Sequence, residues 1–199
     1  MRKNVFILCC LGMVILLNHS AFSQKITIEK SYPEAFLRAY DNYVNKNYAA
    51  SFEQFSALVE QTPQDREELL QDIMFYRASS AYEMMNKDAD ALLCEFISLC
   101  PQSSHCNEAY FLLANFYARG ERYDQAIEVY SKMNVAILNQ DDKFEYYYKR
   151  GHCLFMLNRY DEALEEFDKV KDAKSKFAAP STYFYAHILY EQGRYNLAL

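Results

Sequence analysis

Glu121 to Met133 reads ERYDQAIEVYSKM, and Asn158 to Val170 reads NRYDEALEEFDKV. The two segments superpose without a gap. A third copy, GRYNLAL, begins at Gly193, so Tyr123, Tyr160 and Tyr195 stand in one column, with Ala126, Ala163 and Ala198 three residues on. Within each full segment the alanine is followed four residues later by a ring, Tyr130 or Phe167, which is the spacing of one helix face. Self-similarity at about 35 residues is the mark of a repeat architecture.

The frame extends in both directions. Asn45 to Pro63, NKNYAASFEQFSALVEQTP, places Tyr48, Ser51 and Phe55 in the same columns. A looser unit, NKDADALLCEFISLCP, has Asp88 in the tyrosine column and Phe96 one residue late, so its turn is expected to carry an extra residue. Nine positions before the column stands a small residue: Ala39, Ser79, Ala114, Gly151 and Ala186. A small side chain there lets two helices approach closely, and large residues lie around it at helical spacing, such as Tyr110 and Tyr117 around Ala114, or Tyr147 and Leu154 around Gly151. The chain has only four Gly and four Pro against 18 Tyr and 14 Phe, too little turn punctuation for a many-stranded sheet.

A helix, a turn and a second helix in 34 to 37 residues, with these small and aromatic columns, resembles the tetratricopeptide repeat. The expected fold is therefore all-α, an α-solenoid of antiparallel helix pairs, which in that family winds as a right-handed superhelix. The units fall at about 32–66, 69–105, 107–140 and 144–178, with an incomplete fifth at 179–199. Either the fifth belongs to a longer protein or Tyr183 to Tyr190 caps the fourth.

The first residues combine Arg2 and Lys3, an apolar run from Val5 to Leu17 and a polar tail with Ala21 and Ser23. That is the pattern of a signal peptide over 1–23, followed by a short linker, 24–31, and the apolar run is too short to span a bilayer. An uncleaved anchor is the competing reading. Removing 1–23 takes away two cations, leaving 19 basic against 27 acidic side chains, so nucleic acid is not an expected partner. With the leader, the repeat pattern resembles exported envelope scaffolds of Gram-negative, Bacteroidota-type bacteria and, more distantly, the Tol-Pal coordinator. The resemblance implies a periplasmic location and a partner that is another envelope protein or a peptide, with membrane contact only through partners or an uncleaved leader.

Four cysteines follow the leader. Cys100 and Cys106 flank PQSSH and could be bridged in an exported chain, although thiols are the plainer reading. No cofactor, metal site or catalytic constellation is expected: the histidines have no nucleophile motif beside them, and Glu165, Glu166 and Asp168 read as a wet helix face.

The column three residues before the small position is aromatic throughout: Phe36, Tyr76, Phe111, Tyr148 and Tyr183. Helical spacing adds Tyr40 and Tyr43, His152 and Phe155, and His187 and Tyr190 to the same stripe. In the family, first helices line the concave face, so the resemblance implies that these rings form a partner-binding groove. They could instead pack between neighbouring first helices. Tyrosine suits a peptide laid in a groove and would equally suit sugar rings, so a glycan-binding protein is the alternative, and a spacer for a further domain is a third. The run FEYYYKRGHC, Phe144 to Cys153, separates the jobs: Tyr147 is expected inside the helix pair beside Gly151, where it would matter most to stability. Tyr146 would lean toward a neighbouring unit, and Tyr148 would face the groove.

Overall fold

The computed structural model describes residues 32–198, so the expected leader and linker lie outside it. Among the described residues the regular structure is entirely helical. The chain divides into two compact units, the first ending at Tyr76 and the second beginning at Arg77.

In the first unit α1 (Glu34–Val44) packs antiparallel on α2 (Tyr48–Gln61), and the first half of α3 (Glu67–Glu83) completes it. Its core is Phe36, Ala39, Phe55 and Ile73, all buried, with Tyr40, Leu58 and Tyr76 packed around them. Ala39 and Ser51 expose nothing, which is how small residues let the two helices close on each other.

The second unit continues with α4 (Ala89–Leu99), α5 (Cys106–Arg119), α6 (Tyr123–Ser131), α7 (Gln140–Met156), α8 (Tyr160–Asp168), α9 (Ala178–Glu191) and the short α10 (Tyr195–Ala198). From α4 onward each helix packs on the next, and the first helices of successive pairs also meet, α5 with α7 and α7 with α9. Ala114, Ala126 and Ala163 are fully buried at the crossings, with Tyr130 and Phe167 beside them, while Ala186 is half-buried. In the tyrosine column Tyr123 and Tyr160 are half-buried and Tyr195 is exposed.

All five hairpin turns have one backbone solution. Lys46, Met85, Glu121, Asn158 and Gly193 each have φ between 55° and 71°. The next amide donates back five residues to a helix carbonyl: Asn47 to Asn42, Asn86 to Ala81, Arg122 to Tyr117, Arg159 to Leu154 and Arg194 to Leu189, at 2.8–2.9 Å. These are Schellman turns, which satisfy carbonyls that a helix end would otherwise leave open. They correct the register of the second pair. Seven residues separate the small position from the left-handed residue in four pairs, so in the pair built on Met85 the equivalent small residue is Ala78, not Ser79, and the ring column falls on Phe75, not Tyr76. The following helix starts four residues after Met85 instead of two, which is why Phe96 is late.

Two further expectations change. Gly151 is needed because a Cβ there would meet Phe167 Cε1 at 3.0 Å, so Phe167, and not Tyr147, occupies the space. Tyr147 is half-buried, with the Lys169 ammonium 4.6 Å over its ring, whereas Tyr146 is the buried ring of the three. Tyr146 stands edge-on to Tyr130 at 5.5 Å and donates its hydroxyl to the Tyr130 carbonyl. Glu166, read as solvent-facing, is 5 % exposed and paired with Arg150 from α7 and with Lys169 at 3.2 Å.

Candidate functional site

The aromatic stripe is mostly half-buried, its rings packed against one another. In the first unit Phe36 is 4 % exposed, and Tyr40 and Tyr43 lean on Tyr76 at 5.0 and 5.1 Å, so these four expected groove residues form one ring cluster. Offset and edge-on pairs at such distances are the favourable geometries. In the second unit α9 lies over α7. Tyr148 stacks on Phe177 at 5.3 Å, His152 meets Phe184 at 5.3 Å, and Phe155 meets Phe184 at 5.0 Å and His187 at 5.7 Å. Tyr183, stacked on His187, and Tyr190 are more than half exposed.

Tyr43, Phe155 and Tyr190 have a local use. Each lies three residues before the left-handed turn residue and packs against the tyrosine that opens the next helix: Tyr43 on Tyr48 at 5.7 Å, Phe155 on Tyr160 at 5.8 Å, Tyr190 on Tyr195 at 5.2 Å. They staple the turn. The equivalent residue of the second pair is Tyr82, also a ring. In the third pair it is Ala118. The missing ring leaves a hollow of about 260 Å³ between α5 and α7, bounded by Ala118, Asn115, Arg119, Tyr148, Lys149 and His152, with Tyr130 and Cys153 at its base. This was readable in the sequence once the register was known, as one alanine among four rings.

The lining is mostly apolar, with a few polar groups and no charged residue at its base. Tyr130 donates to Asn115 Oδ1 at 2.7 Å, and burial raises the Tyr130 phenol well above its ordinary value. Burial likewise lowers the His152 imidazole and pushes the Cys153 thiol up to about 11. A thiol shifted that way is far from the thiolate that nucleophilic chemistry uses. Arg119, 4.4 Å over the Tyr82 ring, and Lys149 bring positive charge to the rim.

A second hollow, of about 580 Å³, lies farther along the same two helices and holds the remaining expected groove residue, Phe111. Its wall is the 3₁₀ turn Val135–Ile137. Asn107 fixes that wall, accepting from the Asn134 amide at 2.8 Å and donating to its carbonyl at 3.4 Å.

Cys100 and Cys106, which could have been bridged, are free thiols here, the plainer of the two readings, and burial shifts the Cys106 thiol upward. Among the described residues no group of three or more His, Cys, Asp or Glu could hold a metal ion, and no helix is long and apolar enough to cross a membrane.

Residues 102–142 and 144–174 match models of the tetratricopeptide repeat. Over these two segments the chain carries tetratricopeptide repeats. Both hollows lie between the first helices of these two matched units. Solved structures agree on the fold. MamA from AMB-1 aligns over 83 % of this chain and 84 % of its own, with a TM-score of 0.65 at 18 % identity. MamA from MSR-1 gives 0.59 at 18 % identity, over 81 % of this chain and 87 % of its own. A putative kinesin light chain of Podospora anserina with nearly identical TPR-like repeats gives 0.62 at 16 % identity, over 82 % and 88 %. No curated protein matches the sequence.

Proposed function

We propose that the chain is a non-catalytic scaffold that holds a peptide segment of another envelope protein in the trough between α5 and α7, on the periplasmic side of the membrane. The tetratricopeptide repeat is a protein-interaction architecture, which supports a protein partner. The leader pattern of residues 1–23 supports export.

The observation that carries the reading is Ala118. Four of five pairs plug the corresponding position with a ring, and the one that does not opens a hollow beside Tyr148 and His152. A concave site with an aromatic wall and a few polar groups at its base suits a peptide side chain.

The test is Ala118→Tyr, which restores the ring used elsewhere and fills the hollow. Peptides selected by display against the wild-type protein should lose at least about tenfold in affinity on the variant, the cost of closing one well-packed pocket. The variant's melting temperature should hold or rise. Equal affinity for both proteins would overturn the trough as the site. Osmotic-shock fractionation of cells carrying the full-length chain, with a mature N-terminus at Gln24 read by mass spectrometry, checks the location.

A further inference from the structure

We propose that the larger hollow of the trough takes a lysine- or arginine-bearing amphipathic segment of the partner, an inference that rests on the scaffold reading above. At about 580 Å³ the hollow lies within the ~300–1,000 Å³ range of sites that enclose a ligand. Phe111, Leu112, Met133 and Leu138 line its apolar part, and Ile137, at 66 % exposure, stands open at the 3₁₀ wall. The charged residues on its lining are Glu108, Asp142 and Glu145, with no lysine or arginine among them.

Those carboxylates are unevenly satisfied. Glu145 is paired with Lys149 at 2.8 Å. Among the described residues neither Glu108 nor Asp142 forms an ion pair with a lysine or arginine: Glu108 has only His105 at 4.0 Å, and Asp142 accepts from the neutral Asn139 amide at 2.7 Å. The apolar base therefore carries a net negative rim. Lysine and arginine fit that pair of demands, because their aliphatic stems lie along apolar surface while the cation reaches the edge. The molecule already shows the contact on this site's own ring, with the Lys149 ammonium 4.8 Å over Phe111. A bare divalent cation does not fit, since the carboxylates do not converge into a metal-holding group.

The wall is built before any partner arrives. Asn107 clasps Asn134 through both its amide atoms, and Asn134 in turn accepts from the Ala136 amide at 3.1 Å. A pre-ordered wall spares the cost of fixing a loop on binding.

Fluorescence anisotropy with three fluorescein-labelled peptides of equal length tests this: alternating Lys/Leu, Glu/Leu and Gln/Leu patterns. The Lys/Leu peptide should bind the wild-type protein most tightly and weaken as salt rises. The double variant Glu108→Gln with Asp142→Asn should bind it about tenfold less tightly. Glu108→Lys, on an exposed side chain in the first turn of α5, supplies the same direction with a larger change of charge and leaves the Asn139–Asp142 contact of α7 in place. Equal affinity for all three peptides, or an unchanged affinity in both variants, overturns the charge reading while leaving the scaffold reading standing. Failure of all three to bind, together with failure of display selection, overturns both.

Discussion

Tyr146 and Tyr147 are neighbours in sequence with opposite energetic roles. Tyr146 is 6 % exposed, fits edge-on against Tyr130 and donates to its carbonyl, whereas Tyr147 is half-buried beneath the Lys169 ammonium. Deleting a buried ring leaves a cavity and costs about 3–5 kcal/mol, while a half-exposed ring with one cation contact is worth about 1 kcal/mol. Tyr146→Ala should therefore destabilise by at least about 2 kcal/mol more than Tyr147→Ala in urea unfolding followed by circular dichroism. The opposite order would put Tyr147 back inside the helix pair. Sequence spacing misassigned these rings for a definable reason. A ring one helical turn before Gly151, on the same face, looks suited to fill the glycine's space, but Phe167 reaches that space from α8. Which partner arrives first is a tertiary fact. Glu166 hides in the same way: its acid reads as solvated until Arg150 on another helix neutralises it.

At the scale of the element, the hairpin turn was only half legible. The Tyr, Ala and ring columns of the second helices follow from a local period, and they align without reference to anything distant. The left-handed residue could not be seen, because glycine occupies it once in five turns; Lys46, Met85, Glu121 and Asn158 hold the same φ. A Cβ in that region costs about 1–2 kcal/mol, and glycine's greater freedom in the unfolded chain gives back about 0.5–1 kcal/mol of the relief. Met85→Gly and Glu121→Gly should each stabilise by about 0.5–1 kcal/mol, since both side chains are exposed and no packing is lost. Matched substitutions one residue earlier, Met84→Gly and Gly120→Ala, provide the control: Met84→Gly should destabilise, because it removes a side chain from the last helical turn. A loss of stability on Met85→Gly in chemical unfolding would mean that the turn does not hold its left-handed residue in solution.

For the whole molecule, the repeat architecture was legible and the use of its aromatic stripe was not. Period and small-residue columns specify helix pairs, but the same side of a first helix both meets the next first helix and faces outward, so Tyr148 and Phe155 could be assigned only once α9 was in place over them. The burial that hides these rings has a measurable consequence across the second unit. Burial, opposed by Arg119, pushes the Tyr82 phenol up to about 12, and burial also raises Tyr130 and Tyr146 and moves the Cys153 thiol to about 11. In each case the folded protein keeps a proton that the unfolded chain releases, near pH 9 for the thiol and near pH 10 for the phenols. Above those values the unfolded state binds fewer protons, so stability falls as pH rises. The stabilisation is fully present below about pH 9 and is lost progressively toward about pH 11–12, with Tyr82 and Cys153 each contributing up to about 2 kcal/mol after allowance for residual solvent. Melting temperature should therefore stay level from neutral pH to about 9 and then drop steeply. Phenolate absorbance of the native protein should lag behind that of the urea-unfolded chain until both rise together at the cooperative transition. A smooth titration coincident with the unfolded one, or a melting temperature unchanged between pH 9 and 11, would mean that these rings are open to water.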